Sequence, residues 1–137
     1  MKILLNIINA ASFTIGWFLG GFDGLIYLLI SLTVVDYAAG IMRAIYEKKL
    51  SSAIFTKLVF RKILVFMLIG AGNLIDRYLL TGSGILRSAI IIFYISNEGI
   101  SILENSTAMG LPIPKKLRDA LIQLGQEQEE HKEKRKK

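Results

Sequence analysis

Long runs of apolar residues dominate the first 111 residues of the chain. A helix that crosses a lipid bilayer needs about 20 mostly apolar residues. The segments that approach this length, each with only a few polar side chains inside it, are residues 3–21, 24–45, 63–80 and 88–108. The pattern predicts an all-α integral membrane protein with three or four transmembrane helices and a membrane domain over residues 1–111.

The first segment, residues 3–21, is short for a transmembrane helix and contains polar residues such as Asn6 and Asn9. A cleaved signal peptide is one interpretation, although no A-x-A site closes the run. The others are a first span and a helix that lies in the membrane interface. Residues 20–24, GGFDG, predict a tight turn because Gly and Asp tolerate turn geometry. So short a turn favours a helical hairpin.

Basic residues set the predicted orientation, since short cytoplasmic loops are rich in Lys and Arg. The predicted loop between the second and third segments contains one acidic residue, Glu47, and five basic ones: Lys48, Lys49, Lys57, Arg61 and Lys62. Residues 81–84, between the third and fourth segments, carry no charge. We therefore expect a cytoplasmic basic loop, residues 81–84 outside, and the C-terminus in the cytoplasm. The N-terminus is cytoplasmic only if the first segment spans.

Residues 112–137 form a second region with a different composition. Pro112 and Pro114 end the fourth helix, because proline cannot continue a helix interior. Residues 115–126 predict a short amphipathic helix. Its apolar side consists of Leu117, Leu121 and Leu124. The remaining residues, including the lone His131, read as a charged, solvated tail.

Composition excludes several classes of protein. The chain is 53% hydrophobic and 20% charged, with a mean hydropathy of +0.49, whereas soluble domains average about 45–50% apolar residues. It has no cysteine, which rules out a disulfide scaffold, a thiol nucleophile and an iron–sulfur site. The net charge of +6 could indicate nucleic-acid binding, but the basic tail lacks aromatic residues. We predict no nucleic-acid partner.

The second segment carries Asp36, Gly40 and Arg43 on one helix face. Ionisable groups in a span are costly and face protein or water, and glycine allows close helix approach. One interpretation is a self-association face or a line of water contacts. The alternative is an internal contact, in which Asp36 pairs with a basic residue of a neighbouring span.

The fourth segment is amphipathic over a membrane-spanning length. Because two carboxylates on one face cannot face lipid, they either bind basic partners inside a small bundle or line water in a larger assembly. Arg61 and Lys62 are expected to neutralise Glu104, while Glu98 has no obvious ionic partner. Arg87 lies too far along the helix to reach either carboxylate. The polar face consists of Tyr94, Asn97, Glu98, Ser101, Glu104, Asn105 and Ala108.

Features of enzymes are missing from the sequence. With a single histidine, no metal site or catalytic pair is predicted. No phosphate-binding G-x-x-x-x-G-K-[ST] loop occurs. Gly70, Ala71 and Gly72 form a small patch that predicts close helix packing. The chain is therefore not expected to be an enzyme, and no cofactor is expected.

Several strings, in matching order and spacing over about residues 24–124, resemble the phage holin and toxin-secretion holin-like family of Gram-positive bacteria and their phages. The pair NEGISILEN and GLPIPKKL is the most specific. Residues 53–57 depart from the family, which often has glycines there, and this affects only the expected loop flexibility. The matching strings are DYAAG at 36–40, KKLSS at 48–52, RK at 61–62, FYISNEGISILEN at 93–105 and GLPIPKKL at 110–117.

The resemblance implies a multi-pass protein of the bacterial cytoplasmic membrane that forms homo-oligomers. Such proteins open large lesions that release an endolysin, or in some relatives a large toxin, and so time lysis. Expected partners are further copies, membrane lipid, and the endolysin or toxin. The resemblance carries over Asp36, Gly40, Asn97, Glu98 and Glu104. With the polar positions above, the candidate assembly and pore-face residues are Asp36, Gly40, Arg43, Asn97, Glu98, Ser101, Glu104 and Asn105.

Two other functions stay open at this point. One is a small membrane scaffold or assembly subunit that does not permeabilise the membrane. The other is a narrow ion channel.

Overall fold

Five helices make up the chain in a computed structural model that describes the backbone of residues 1–137 and every side chain except Gln128, Glu129, His131 and Lys132. The expected exposure of His131 therefore lies outside the described residues. The first four helices are long and apolar enough to cross a membrane, which confirms the predicted all-α membrane fold. The helices are α1 (Lys2–Leu19), α2 (Gly24–Tyr46), α3 (Ser52–Tyr78), α4 (Ile85–Ala108) and α5 (Lys115–Lys136).

Helix α3 begins at Ser52, 11 residues before residue 63, where the apolar pattern placed its start. Ser51 caps it, because the Ser51 hydroxyl accepts a hydrogen bond from the Ile54 amide at 3.2 Å, and serine is a preferred N-cap residue. Lys57, Arg61 and Lys62 consequently lie on a helix and not in the predicted loop. The expected assignment of these three basic residues to a loop is wrong.

The turn between α1 and α2 is present, but these helices do not form the expected packed hairpin. Gly20 and Gly21 adopt φ values of +84° and +101°, which glycine tolerates best. Among the described residues, α1 packs against α3, not against α2. Gly70 makes this possible, since a Cβ atom there would collide with the Phe18 ring. An apolar cavity of about 600 Å³ lies between α1, α2 and α3.

The core is formed where α2, α3 and α4 meet. Its fully buried apolar side chains are Ile26 and Leu29 from α2, Ile69 from α3 and Ile91 from α4. Gly72 allows α4 to approach α3, because a Cβ atom there would lie 2.5 Å from Ile90. Gly70 and Gly72 thus serve helix packing, as the small patch predicted.

A polar cluster joins the turn between α1 and α2 to the start of α4, which follows the connection from α3. The Arg87 guanidinium donates to the carbonyls of Leu19 at 2.5 Å and Gly21 at 3.0 Å. It also forms an ion pair with Asp23 at 2.7 Å. The hydrogen bond from Arg87 lowers the pKa of Asp23 below its usual value of 3.8, so the Asp23 carboxylate stays charged at neutral pH.

Two residues of α3 complete this outer cluster, which comprises Asp23, Asn73, Asp76 and Arg87. Asp76 accepts hydrogen bonds from the backbone amides of Leu86 at 3.0 Å and Arg87 at 2.7 Å, so it caps the start of α4. Asn73 donates to the Phe18 carbonyl at 3.0 Å. The cluster therefore holds the end of α1 and the start of α4 against α3.

Helix α5 is longer than predicted, because it continues to Lys136 where the sequence indicated a polar tail. It packs antiparallel against α4. Leu121 lies against Gly99, the Ser96 hydroxyl donates to the Leu121 carbonyl, and Arg118 approaches Glu104. The amphipathic character predicted for its first half explains this contact.

Replacing Arg87 by Ala should weaken the attachment of α1. We expect a loss of about 2 kcal/mol in the free energy of unfolding, since hydrogen bonds to charged groups contribute about 1.5–3 kcal/mol each. Arg77→Ala is the matched control, because its exposed guanidinium only stacks 5.9 Å above the Trp17 ring. Thermal unfolding in detergent micelles, followed by circular dichroism, measures both. Equal effects of the two changes would contradict the role of the outer cluster.

Candidate functional site

A single lysine joins three helices at the centre of the candidate site. The Lys62 ammonium of α3 lies 2.5 Å from an Asp36 oxygen of α2 and 2.5 Å from a Glu98 oxygen of α4. The side chains of Lys62, Asp36 and Glu98 are 18%, 7% and 6% exposed. The expectation that Glu98 has no ionic partner, and that Lys62 neutralises Glu104, is therefore wrong. For Asp36, the structure agrees with the alternative prediction, in which it pairs with a basic residue of a neighbouring span.

The depth of this triad explains why all three charges are buried. From Lys62 to Asp76 of the outer cluster, α3 rises about 21 Å at 1.5 Å per residue. The hydrocarbon layer of a bilayer is about 30 Å thick. The two clusters therefore cannot both lie outside that layer, and all of their charged side chains except Asp23 are wholly or mostly buried among the helices. Within it, a charge that loses its partner is strongly destabilising.

Asn105 extends the triad toward the end of α2. Its amide nitrogen lies 3.4 Å from Asp36, and its oxygen lies 3.4 Å from Arg43. Arg43 also pairs with Glu47 at 3.1 Å. Gly40 lies beside Leu58 and Asn105, with room for a Cβ atom at ordinary contact distances. Asp36, Gly40 and Arg43 thus face α3 and α4 within one chain.

A cavity of about 110 Å³ lies next to the triad. Asn97 and Ser101 of α4 line it together with Arg61 of α3. Polar walls and this volume allow it to hold ordered water. Asn97 is nevertheless exposed at the surface of the chain, so the helices do not enclose it.

Glu104 does not join the buried network. It lies 3.7 Å from Arg118 of α5, and both side chains are more than half exposed. Such a pair contributes little to stability. The structure therefore brings together Asp36, Glu98, Asn105 and Arg43, and leaves Glu104 and Asn97 on the outside.

The sequence interpretation missed Lys62 as the partner of both carboxylates, and it missed the outer cluster. The signal for Lys62 was the Ser51–Ser52 pair, since a serine N-cap there starts α3 early enough to place Lys62 on the helix. No comparable signal identifies Arg87, because its partners lie far away along the chain.

Comparisons with known proteins identify a family and several relatives of the chain. A sequence model described as "Bacteriophage holin family" matches residues 13–126. A "Probable holin" of Bacillus phage phi105 is 35% identical over 94 residues, which cover 69% of each chain. An uncharacterized 14.9 kDa protein in the nagH 3′ region of Clostridium perfringens is 36% identical over 90% of this chain and 97% of its own length. The uncharacterized YqxH of Bacillus subtilis is 36% identical over 81% of this chain and 80% of its own length.

The chain belongs to the bacteriophage holin family. This confirms the family that the sequence motifs indicated, and it confirms that the chain is not an enzyme. It is a holin-like protein, and membership together with the four apolar helices assigns it to the cytoplasmic membrane. No solved structure matches the chain significantly.

Replacing Lys62 by Met should destabilise the fold by about 3–5 kcal/mol, because it leaves two buried carboxylates without a cation. Arg61→Met, one position away on the exposed side of α3, should have little effect. Unfolding in detergent micelles measures the difference.

A second variant separates lost charge pairing from lost packing. Combining Lys62→Met with Asp36→Asn and Glu98→Gln removes all three charges, and it should recover part of the lost stability. If the triple variant is no more stable than Lys62→Met, the ion pairs do not account for the effect.

Proposed function

We propose that the chain is a holin that self-assembles in the cytoplasmic membrane into lesions wide enough to release an endolysin or a large toxin, and that this assembly times lysis. The observation that carries the proposal is the exposure of Asn97 on α4, a helix with the length and composition of a membrane span. An amide that faces hydrocarbon without a hydrogen-bond partner is costly.

Contact between copies removes this cost. Side-chain amides form hydrogen bonds across neighbouring transmembrane helices, each worth about 1 kcal/mol. Asn97 also lines the small cavity beside Glu98 and Ser101, so a partner at Asn97 would border the buried polar network. Assembly through α4 would thereby place the Asn97 amide of each copy toward a neighbour or toward enclosed water.

The charge distribution supports a cytoplasmic C-terminus. Basic residues concentrate in the α2–α3 connection, the start of α3 and α5, and such residues mark the cytoplasmic side. Most residues after Gly125 are charged, and each charge costs about 2.5–3.5 kcal/mol at the bilayer centre. In the membrane, therefore, the second half of α5 cannot follow α4 into the hydrocarbon. Residues 112–137 form a cytoplasmic region in this proposal.

Replacing Asn97 by Leu should delay lysis, because it removes the amide that favours association. Ser31→Leu is the matched control, since the exposed Ser31 hydroxyl is already bonded to the Tyr27 carbonyl of its own helix. The measurement is the time of lysis after induction in bacteria that also express a cytosolic endolysin. Expression levels of the two variants must be equal.

The same culture distinguishes the proposal from other functions. A holin stops growth abruptly, depolarises the membrane and releases the endolysin. Depolarisation without release of the enzyme would indicate a narrow ion channel, and the absence of both would indicate a scaffold. Unchanged timing in Asn97→Leu would contradict the role of this residue in assembly.

Single-cysteine labelling tests the topology without background, because the chain has no cysteine. We expect Gly82→Cys to react with an impermeant thiol reagent on intact cells, and Lys137→Cys to react only after permeabilisation. Lys2→Cys should behave like Lys137→Cys if α1 crosses the bilayer. Labelling of Lys137→Cys on intact cells would overturn the proposed orientation.

A further inference from the structure

The ends of α2 and α4 and the start of α5 enclose a third pocket, which we call the inner-end pocket. Its volume is about 620 Å³. Three basic residues, Arg43, Lys115 and Arg118, line it with a single acidic one, Glu104. Leu111 and Ile113 belong to its apolar wall. The pocket therefore combines an excess of positive charge with an apolar wall.

The positive groups retain hydrogen-bonding capacity for a ligand. Arg43 uses one nitrogen for Glu47 and one for Asn105, but a guanidinium offers five N–H donors. The Arg118–Glu104 pair is long at 3.7 Å and largely solvated, so an anion can displace it at little cost. Among the side chains that the structure describes, Lys115 takes part in no ion pair.

The start of α5 adds to the positive potential. Its N-cap residue is Pro114, which provides no side-chain acceptor for the first amides of the helix. These amides point out of the helix start and carry partial positive charge. The basic side chains and the helix start thus favour the same ligand, a phosphate group.

The apolar wall decides between two sources of that phosphate. A free phosphate ion gains nothing from Leu111 and Ile113, whereas a phospholipid places its glycerol and upper acyl chains against such residues. The pocket also lies where membrane helices end, which is the depth of lipid headgroups, and basic pockets at such positions bind anionic headgroups. We infer that the inner-end pocket binds one anionic phospholipid through its headgroup phosphate. Lesion formation is not required for this inference.

The test compares two variants of the full chain that lose the same charge. One combines Arg43→Gln, Lys115→Gln and Arg118→Gln, and the other combines Lys134→Gln, Arg135→Gln and Lys136→Gln in the last turn of α5. Native mass spectrometry from detergent measures binding of phosphatidylglycerol, phosphatidylcholine and inorganic phosphate. We expect the pocket variant to bind phosphatidylglycerol about tenfold more weakly, and the tail variant to bind it nearly as well as the unchanged chain.

Three results would overturn the inference. Equal loss in both variants would indicate diffuse charge attraction, and equal binding of phosphatidylcholine would show that headgroup charge is irrelevant. If millimolar inorganic phosphate displaces phosphatidylglycerol and the pocket shows no preference for the lipid, the free ion is the ligand. If the triple pocket variant loses its helical circular dichroism, the comparison is made between the single changes Lys115→Gln and Lys134→Gln. Both lysines are exposed, so neither change disturbs buried packing.

Discussion

The contact of one ammonium group with two carboxylates sets the arrangement of this protein. Lys62 fixes both the height and the rotation of α2 and α4, because Asp36 and Glu98 must point toward it. Successive residues on a helix are turned by about 100° from each other. With Glu98 held inward, its neighbour Asn97 is directed outward to the surface. The feature that favours association between copies is therefore a consequence of charge pairing inside each copy.

Polar contacts hold α2, α3 and α4 together at two depths along the bundle, and an apolar layer lies between these depths. Lys62 connects them at one level, and the outer cluster around Arg87 and Asp76 connects them at the other. Ile69 and Ile91 fill the layer in between. Polar contacts of this kind specify one register in a lipid environment, where apolar side chains gain little from choosing each other over lipid. The two polar clusters and the apolar layer between them thus fix the positions of the pockets and exposed residues described above.

Much of the fold was predictable because it depends on local properties of the sequence. The helices of membrane length follow from runs of apolar residues, and the turn after α1 follows from Gly20 and Gly21. The partner of Glu98 was not predictable, since it depends on how three helices rotate against each other. The early start of α3 lies between these cases, because Ser51 gave a local signal that the apolar pattern concealed. The packing of α5 on α4 was not predictable either, because the contacts of Leu121 with Ser96 and Gly99 are tertiary.

Helix α1 differs from the other apolar helices because its described contacts are concentrated near its C-terminal end. Asn73 and Arg87 bind its last carbonyls, while residues 1–15 are exposed. A helix attached at one end can change its tilt without disturbing the packing of the rest. Membranes differ in thickness, and a helix that is longer than the hydrocarbon layer can adjust to it by tilting. The protein can thus keep the geometry of α2, α3 and α4 constant across bilayers of different thickness and adapt through the inclination of α1.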